Sequence, residues 1–323
     1  MNIAIIGAGS IGNKRVESLP PKINLGVVCD LNYDKAQKLA SKYNALAQKD
    51  WKRVVSDPKV SAIFICTTHN NLAKIAVKAI TQGKHVLIEK PGGISEREIK
   101  QIQRAHKSNP VVVMFGYNHR FHPAIEKANK IIQSKSFGKI LFIRAKYGHG
   151  GRLGYEKEWR FKKNISGGGE LIDQGSHLID LVNFFNGKMN VKYAAISTFF
   201  WNTKLEDTAF FLLSNSQNQQ ASLSASCVEW KNLFCFEIML QKGKLQIDGL
   251  GRSYGVETLT IYKMRKAMGP PDVKVLTFDK PDDSWLGQNR EFFKRIARHD
   301  YSTNSIDEAN YVMKTIDAIY SQK

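Results

Sequence analysis

The first thirty residues constrain the fold most. An apolar run at residues 2–7 leads directly into Gly7-Ala-Gly9-Ser10-Ile11-Gly12, and helical spacing then continues to about residue 19. A second apolar run at 25–29 ends at Asp30. A G-x-G-x-x-G string alone is a weak signal, because glycine is common. A strand before it, a helix after it and an acid about 20 residues on make it specific. Gly7 permits a tight turn, Gly9 lets the backbone approach a pyrophosphate, and Gly12 lets helix and strand pack closely. The helix N-terminus at Ser10 and Ile11 offers amide donors and positive potential to a phosphate. Asp30 can accept hydrogen bonds from both ribose hydroxyls and would repel a 2′-phosphate, so NAD is expected in preference to NADP.

The alternation continues. Apolar runs at 62–66, 86–89 and 111–116 alternate with helical spacing at 34–43, 72–81 and 95–106. Strands apolar on both faces, joined by helices, imply a parallel sheet with right-handed crossovers. Residues 1–118 therefore read as an α/β Rossmann domain, doubly wound around a parallel sheet. After Gly116 the pattern changes. Helices are expected at 124–133 and 173–185. Strands are expected at 139–147, 191–201, 208–213, 220–227, 235–240, 244–248, 257–262 and 273–278, with a hairpin turn at 241–244. Two helices, 286–298 and 306–320, close the chain. Residues 119–323 read as an α+β domain with a largely antiparallel open sheet, for substrate and for oligomerisation.

Composition narrows the function classes. The formal net charge is +19, spread over both halves of the 323 residues. Such a field attracts polyanions or small anionic substrates, yet no recognised nucleic-acid motif accompanies it, so specific nucleic-acid binding is not expected. Apolar runs such as 111–115 fall far short of the ~18–20 residues that span a bilayer, so no membrane partner is expected. The opening residues carry no basic segment or small-residue cleavage site, and a cytoplasmic location is the expectation. The four cysteines form no C-x-x-C pair, the usage of a reducing compartment.

A family resemblance rests on three ordered motifs. Gly83-Lys-His-Val-Leu-Ile-Glu89-Lys90-Pro91 resembles the G-K-H-V-x-x-E-K-P segment of the Gfo/Idh/MocA oxidoreductases, the glucose–fructose oxidoreductase and inositol dehydrogenase family. Gly116-Tyr-Asn118-His-Arg120-Phe-His-Pro123 resembles its G-x-N-x-R-F-x-P. Gly167-Gly-Gly-Glu-Leu-Ile-Asp173-Gln-Gly-Ser-His177 resembles its G-G-x-x-x-D-x-G-x-H. The resemblance covers essentially the whole chain. One departure stands out: the usual T-P-N-x-x-H reads Thr68-His-Asn70-Asn-Leu-Ala73 here. Thr67, Thr68, Asn70, Glu89 and Lys90 are the further cofactor contacts the resemblance implies, with altered contacts expected near the nicotinamide.

The chemistry so implied is hydride transfer between a nicotinamide and a secondary hydroxyl or ketone of a sugar, cyclitol or nucleotide sugar. Alcohol oxidation needs a base that titrates near neutrality, which points to His177. Asp173 precedes it by four residues, so both share one face of a helix, and it can orient the imidazole or a substrate hydroxyl. Lys90 follows a parallel strand and so lies at the sheet's carboxyl edge, where ligands bind. Its ammonium can stabilise an alkoxide. The strand ends before Gly7, Asp30, Thr67 and Lys90 should line one cleft, faced by the helix of Asp173 and His177. Asn118, Arg120, Trp159 and Arg160 are weaker substrate candidates, Arg120 having an ion-pairing role as its alternative. The Asp173/His177 pair supplies two metal ligands at most, and His119 and His122 have no carboxylate cluster, so no metal is expected. Two alternatives remain open: an NAD-dependent glycosidase of the same family, and a non-catalytic cofactor-binding regulator. A basic surface leans the substrate towards an anion, and the open sheet towards a homo-oligomer, dimer or tetramer.

Overall fold

The computed structural model describes residues 1–322, which divide into two compact units. The first comprises Met1–Tyr117 together with Trp285–Met313, and the second comprises Asn118–Ser284 with the chain from Lys314 on.

The first unit opens with β1 (Asn2–Ile6), α1 (Ser10–Glu17), β2 (Asn24–Cys29) and α2 (Tyr33–Lys42). Next come β3 (Leu46–Gln48), α3 (Trp51–Ser56), β4 (Ala62–Ile65) and α4 (His69–Thr81). Then follow β5 (His85–Ile88), α5 (Glu96–Ser108) and β6 (Val113–Phe115). All six strands are parallel, in the order β3-β2-β1-β4-β5-β6. Helices cover both faces of such a sheet, so a central strand buries every residue: all four of β4 are buried. The short β3 and α3 stand in a stretch where no element was expected.

The second unit contains α6 (Pro123–Gln133), β7 (Ile140–Gly148), α7 (Lys163–Ser166) and α8 (Ser176–Asn186). The strands β8 (Asn190–Ser197), β9 (Thr208–Ser214), β10 (Gln220–Ser226) and β11 (Leu233–Leu240) follow. So do β12 (Gly243–Asp248), β13 (Glu257–Lys263) and β14 (Asp272–Phe278). Their order is β14-β13-β12-β11-β7-β10-β9-β8, antiparallel except for the β7–β10 pair. α6 packs on β12, β13 and β14, and α8 on β7 and β10. Strand alternation then turns Phe142, Arg144 and Lys146 of β7 to the opposite face, where Phe210 of β9 and Val273 and Val275 of β14 are also exposed.

The closing helices are α9 (Ser284–Ala297) and α10 (Asn304–Tyr320). From Trp285 to Met313 the chain belongs to the first unit, where Phe292 meets Phe64 of β4 edge-on at 5.6 Å between ring centres. The first division of the chain falls between Tyr117 and Asn118, and the return at 285 carries no compositional mark.

Candidate active site

The glycine loop is built by close approaches. A Cβ on Gly12 would lie 1.9 Å from the Gly7 carbonyl oxygen, and one on Gly7 would lie 2.4 Å from that of Cys66. Gly7 also has a φ of +102°, a left-handed value that disfavours a side chain. These two glycines let α1 and the β4 end close on the loop. Gly9 differs: a Cβ there would meet nothing within 4 Å. The space before Gly9 is open, and no side chain caps the N-terminus of α1. Asp30 reaches the loop from the end of β2, accepting the Ala8 amide at Oδ2 and the Asn32 amide at Oδ1, each at 2.8 Å. Uncapped helix amides, open backbone and a carboxylate beside them fit a dinucleotide's pyrophosphate and ribose.

Because β2, β1, β4 and β5 are parallel neighbours, Asp30, Gly7, Thr67 and Lys90 emerge at one edge of the sheet. Thr68 precedes α4, and its Oγ1 donates to Asn70 Oδ1 at 2.9 Å. His69, which replaces the expected proline, is buried. Lys90 is half-buried, next to the buried Glu89. Glu89 has a partner that sequence reasoning missed. Arg15 of α1, fully buried, donates from Nε to Glu89 Oε1 at 2.6 Å. Its other nitrogens donate to Asn289 Oδ1 at 3.0 Å and Gln288 Oε1 at 2.6 Å, and its guanidinium lies 4.6 Å from the Trp285 ring centre. One cation joins the cofactor helix, the turn before Lys90 and α9. Burial and the Glu89 charge together push the neighbouring Cys66 thiol well above its ordinary pKa, so it stays protonated.

In the second unit Asp173 and His177 do not share a continuous α-helix. Leu171–Gly175 is a π-helical turn, and His177 lies in the first turn of α8. The expectation of one helix over 173–185 is corrected at its start. Buried Glu206 accepts the Gly169 and Leu171 amides through Oε1, at 2.9 and 3.3 Å, and holds the turn. Ser176 Oγ donates to the Asp173 carbonyl at 3.1 Å. Such wide turns are frequent at functional sites.

Arg160, in the 3-10 turn Trp159–Phe161, donates from Nε to Asp173 Oδ2 at 2.9 Å and from Nη1 to Glu158 at 3.0 Å, and lies over the Trp159 ring at 5.0 Å. Burial works against its charge, but Asp173 and Tyr155 outweigh this, and its pKa is raised. His177 lies flat against His119, with ring centres 3.8 Å apart and planes 12° from parallel. Tyr147 stands edge-on to both. Burial, followed by the influence of Tyr254, Asp173 and Glu170, drives the Tyr147 hydroxyl well above its usual range, so it stays protonated. Asn118 donates to Ser284 Oγ at 2.9 Å. Arg120 pairs through two nitrogens with the fully buried Asp180, the geometry of its ion-pairing alternative. No cluster of three or more metal-ligating side chains occurs among the described residues.

The parallel sheet and the glycine loop at its carboxyl edge together define a dinucleotide-binding Rossmann fold. A family model described as an oxidoreductase family with an NAD-binding Rossmann fold matches residues 1–117, and the Gfo/Idh/MocA C-terminal domain model matches 125–246. The chain belongs to the Gfo/Idh/MocA family. Among curated relatives, levoglucosan dehydrogenase of Pseudarthrobacter phenanthrenivorans is 28% identical over 214 residues, 61% of this chain and 54% of that protein. The chain thus spans about half the length of that relative. Trans-1,2-dihydrobenzene-1,2-diol dehydrogenase of Xenopus tropicalis is 26% identical over 228 residues, 69% of this chain and 68% of that one. A levoglucosan dehydrogenase solved with NADH and L-sorbose has the same fold: its TM-score is 0.88 at 22% identity, over 99% of this chain and 96% of that one.

Proposed function

We propose that the protein oxidises a secondary hydroxyl of a sugar or cyclitol, or reduces the matching ketone, with NAD(H). The single edge of the parallel sheet from which the glycine loop, Asp30 and Lys90 all emerge supports this most. The nicotinamide, when bound, supplies the hydride acceptor or donor. The α1 amides hold the pyrophosphate and Asp30 the ribose, which favours NAD over NADP. The Lys90 ammonium stabilises negative charge developing on the reacting oxygen. His177 accepts the hydroxyl proton. Asp173, held by Arg160, orients a neighbouring hydroxyl, and Trp159 forms part of the substrate wall.

Relatives named for levoglucosan, myo-inositol and D-glucosides support a polyhydroxylated ring as substrate. The +19 charge supports an anionic version, such as a sugar acid or nucleotide sugar. The uncovered face of the eight-stranded sheet, with Phe142, Phe210, Val273 and Val275, suits a second copy of the chain. Four unpaired cysteines suit the cytoplasm, and no helix among the described residues is long and apolar enough to cross a membrane.

The test is a panel of levoglucosan, myo-inositol, methyl glucosides, glucuronate and UDP-glucose, each followed by NADH absorbance. Accumulating NADH supports a dehydrogenase. Product release with NADH recycled identifies a glycosidase, and NAD binding without any turnover identifies a regulator.

A further inference from the structure

Residues Asn118–Phe121 form a 3-10 turn in which Asn118, His119 and Arg120 each meet a partner in the second unit. Asn118 ties its start to Ser284. Arg120 ties its middle to Asp180, which lies on α8 three residues beyond His177. Just beyond the turn, His122 Nδ1 and the Ala124 amide are both held by Glu257, at 2.9 and 2.7 Å. His119 sits inside these ties. Its ring is boxed edge-on by His122 at 5.6 Å, Tyr147 at 5.2 Å and Phe234 at 6.2 Å, leaving one face against His177. Both stacked rings are buried. A stack this close and this flat fixes the plane in which the His177 nitrogens point.

We propose that His119 is a positioning residue: the turn, clamped to α8 through Arg120 and Asp180, lays the His119 ring on the His177 imidazole and so fixes the direction from which His177 meets the substrate hydroxyl. The proposal rests on the reading of His177 as the base. Among the groups facing the stack are His122 with Glu257 from the turn side, Tyr147 from β7, and Tyr254 behind Tyr147 at 5.0 Å. Asp173 and Glu170 act on Tyr147 from the π-helical side. Asn118 and Arg120 then serve the reaction by holding the turn rather than by touching substrate.

The test compares His119→Leu, which removes the flat ring at similar bulk, with His119→Phe, which keeps it. A misdirected base costs turnover more than affinity, so His119→Leu is expected to lose about tenfold to hundredfold in kcat. KM for the best substrate of the panel and the Kd for NAD should hold within about twofold, as expected when an interaction made only in the transition state is lost. His119→Phe should recover most of kcat. A readout without substrate accompanies this: the His177 ring proton between the nitrogens, assigned by its absence in His177→Asn, should carry the ring-current shift of its neighbour. That shift should persist in His119→Phe and vanish in His119→Leu. Unchanged kcat and an unmoved resonance in folded His119→Leu would overturn the proposal, as would a His119→Phe as slow as His119→Leu. His177→Asn separates the two readings. If it keeps the neutral limb of the pH–rate profile, the base assignment itself fails. If it loses that limb while His119→Leu behaves as wild type, only the positioning role fails.

Discussion

Arg15→Met tests whether one buried cation joins three elements of the first unit. The guanidinium is fully buried and lies 2.6 Å from Glu89, itself 7% exposed. Two unit charges about 4 Å apart attract by about 4 kcal/mol at an effective dielectric of 20. Removing one member of a buried pair costs about 3–5 kcal/mol, because the remaining charge is left uncompensated. Gln288 Oε1 and Asn289 Oδ1 also lose their donors, at about 1–3 kcal/mol for each acceptor left unsatisfied. These losses share one side chain and do not add fully. The amide groups of both residues keep their bonds to the Phe115, Arg15 and Ser18 carbonyls. The expected total is about 4–6 kcal/mol, a large part of the ~5–15 kcal/mol that holds a typical protein folded. Urea unfolding followed by circular dichroism measures it, with an unchanged slope showing that the denatured state is comparable. If the orphaned charge is the main loss, Arg15→Met with Glu89→Gln should be more stable than Arg15→Met alone, by about 2 kcal/mol. A single variant destabilised by under about 1 kcal/mol, or a double variant no better than the single, would refute the assignment of Glu89 as the cation's main partner.

Asp30→Ala should weaken NAD binding by about tenfold, the worth of one good charge-assisted hydrogen bond, and bring the NAD and NADP dissociation constants together; a ratio that does not move refutes the ribose role. Lys90→Ala should lower kcat by about 10²–10³ with NAD affinity retained, and near-normal turnover removes it from the chemistry. Glu237 on β11 is held down to about 2 from an ordinary 4.5, first by its hydrogen bond from Arg144 and then by Lys244. A carboxyl depressed in the folded state stabilises above its unfolded pKa, and that gain is lost as pH falls through the folded one. The stability gap between wild type and Glu237→Gln should therefore be full above pH 4.5 and close towards pH 2, and thermal melts across that range measure it.

Local signals carried most of the first unit. The run into Gly7, the spacing to Asp30 and the apolar strands 62–66 and 86–89 each lie within a few turns of chain, where periodicity and glycine chemistry decide the conformation. β3 and α3, with three and six residues, are too short to show a period. The parallel β7–β10 pair was equally hidden, since Phe142 and Gln220 are partners across dozens of residues. Nothing in the amphipathic α9 says that Phe292 belongs against Phe64 of the first unit.

The site divides along the same line, and for the same reason. Residues proposed for a chemical role at the chain's own turns, such as Gly9, Asp30 and Lys90, are marked by the segments around them. The residues that hold them are marked by nothing nearby. Arg15 reads as one more charge on a helix until Glu89 is found beside it, 74 positions on. His119 reads as the i, i+3 neighbour of His122, with no carboxylate cluster to make the pair a metal site, until the His177 ring is found with its centre 3.8 Å away. Asp173 and His177 match an α-helical i, i+4 spacing, which the π-helical turn changes through contacts with Glu206, a residue 33 positions beyond Asp173. Orientation in this site is thus a tertiary property. A substitution at Arg15, His119 or Glu206 leaves every sequence motif intact and is expected to alter the geometry around those motifs.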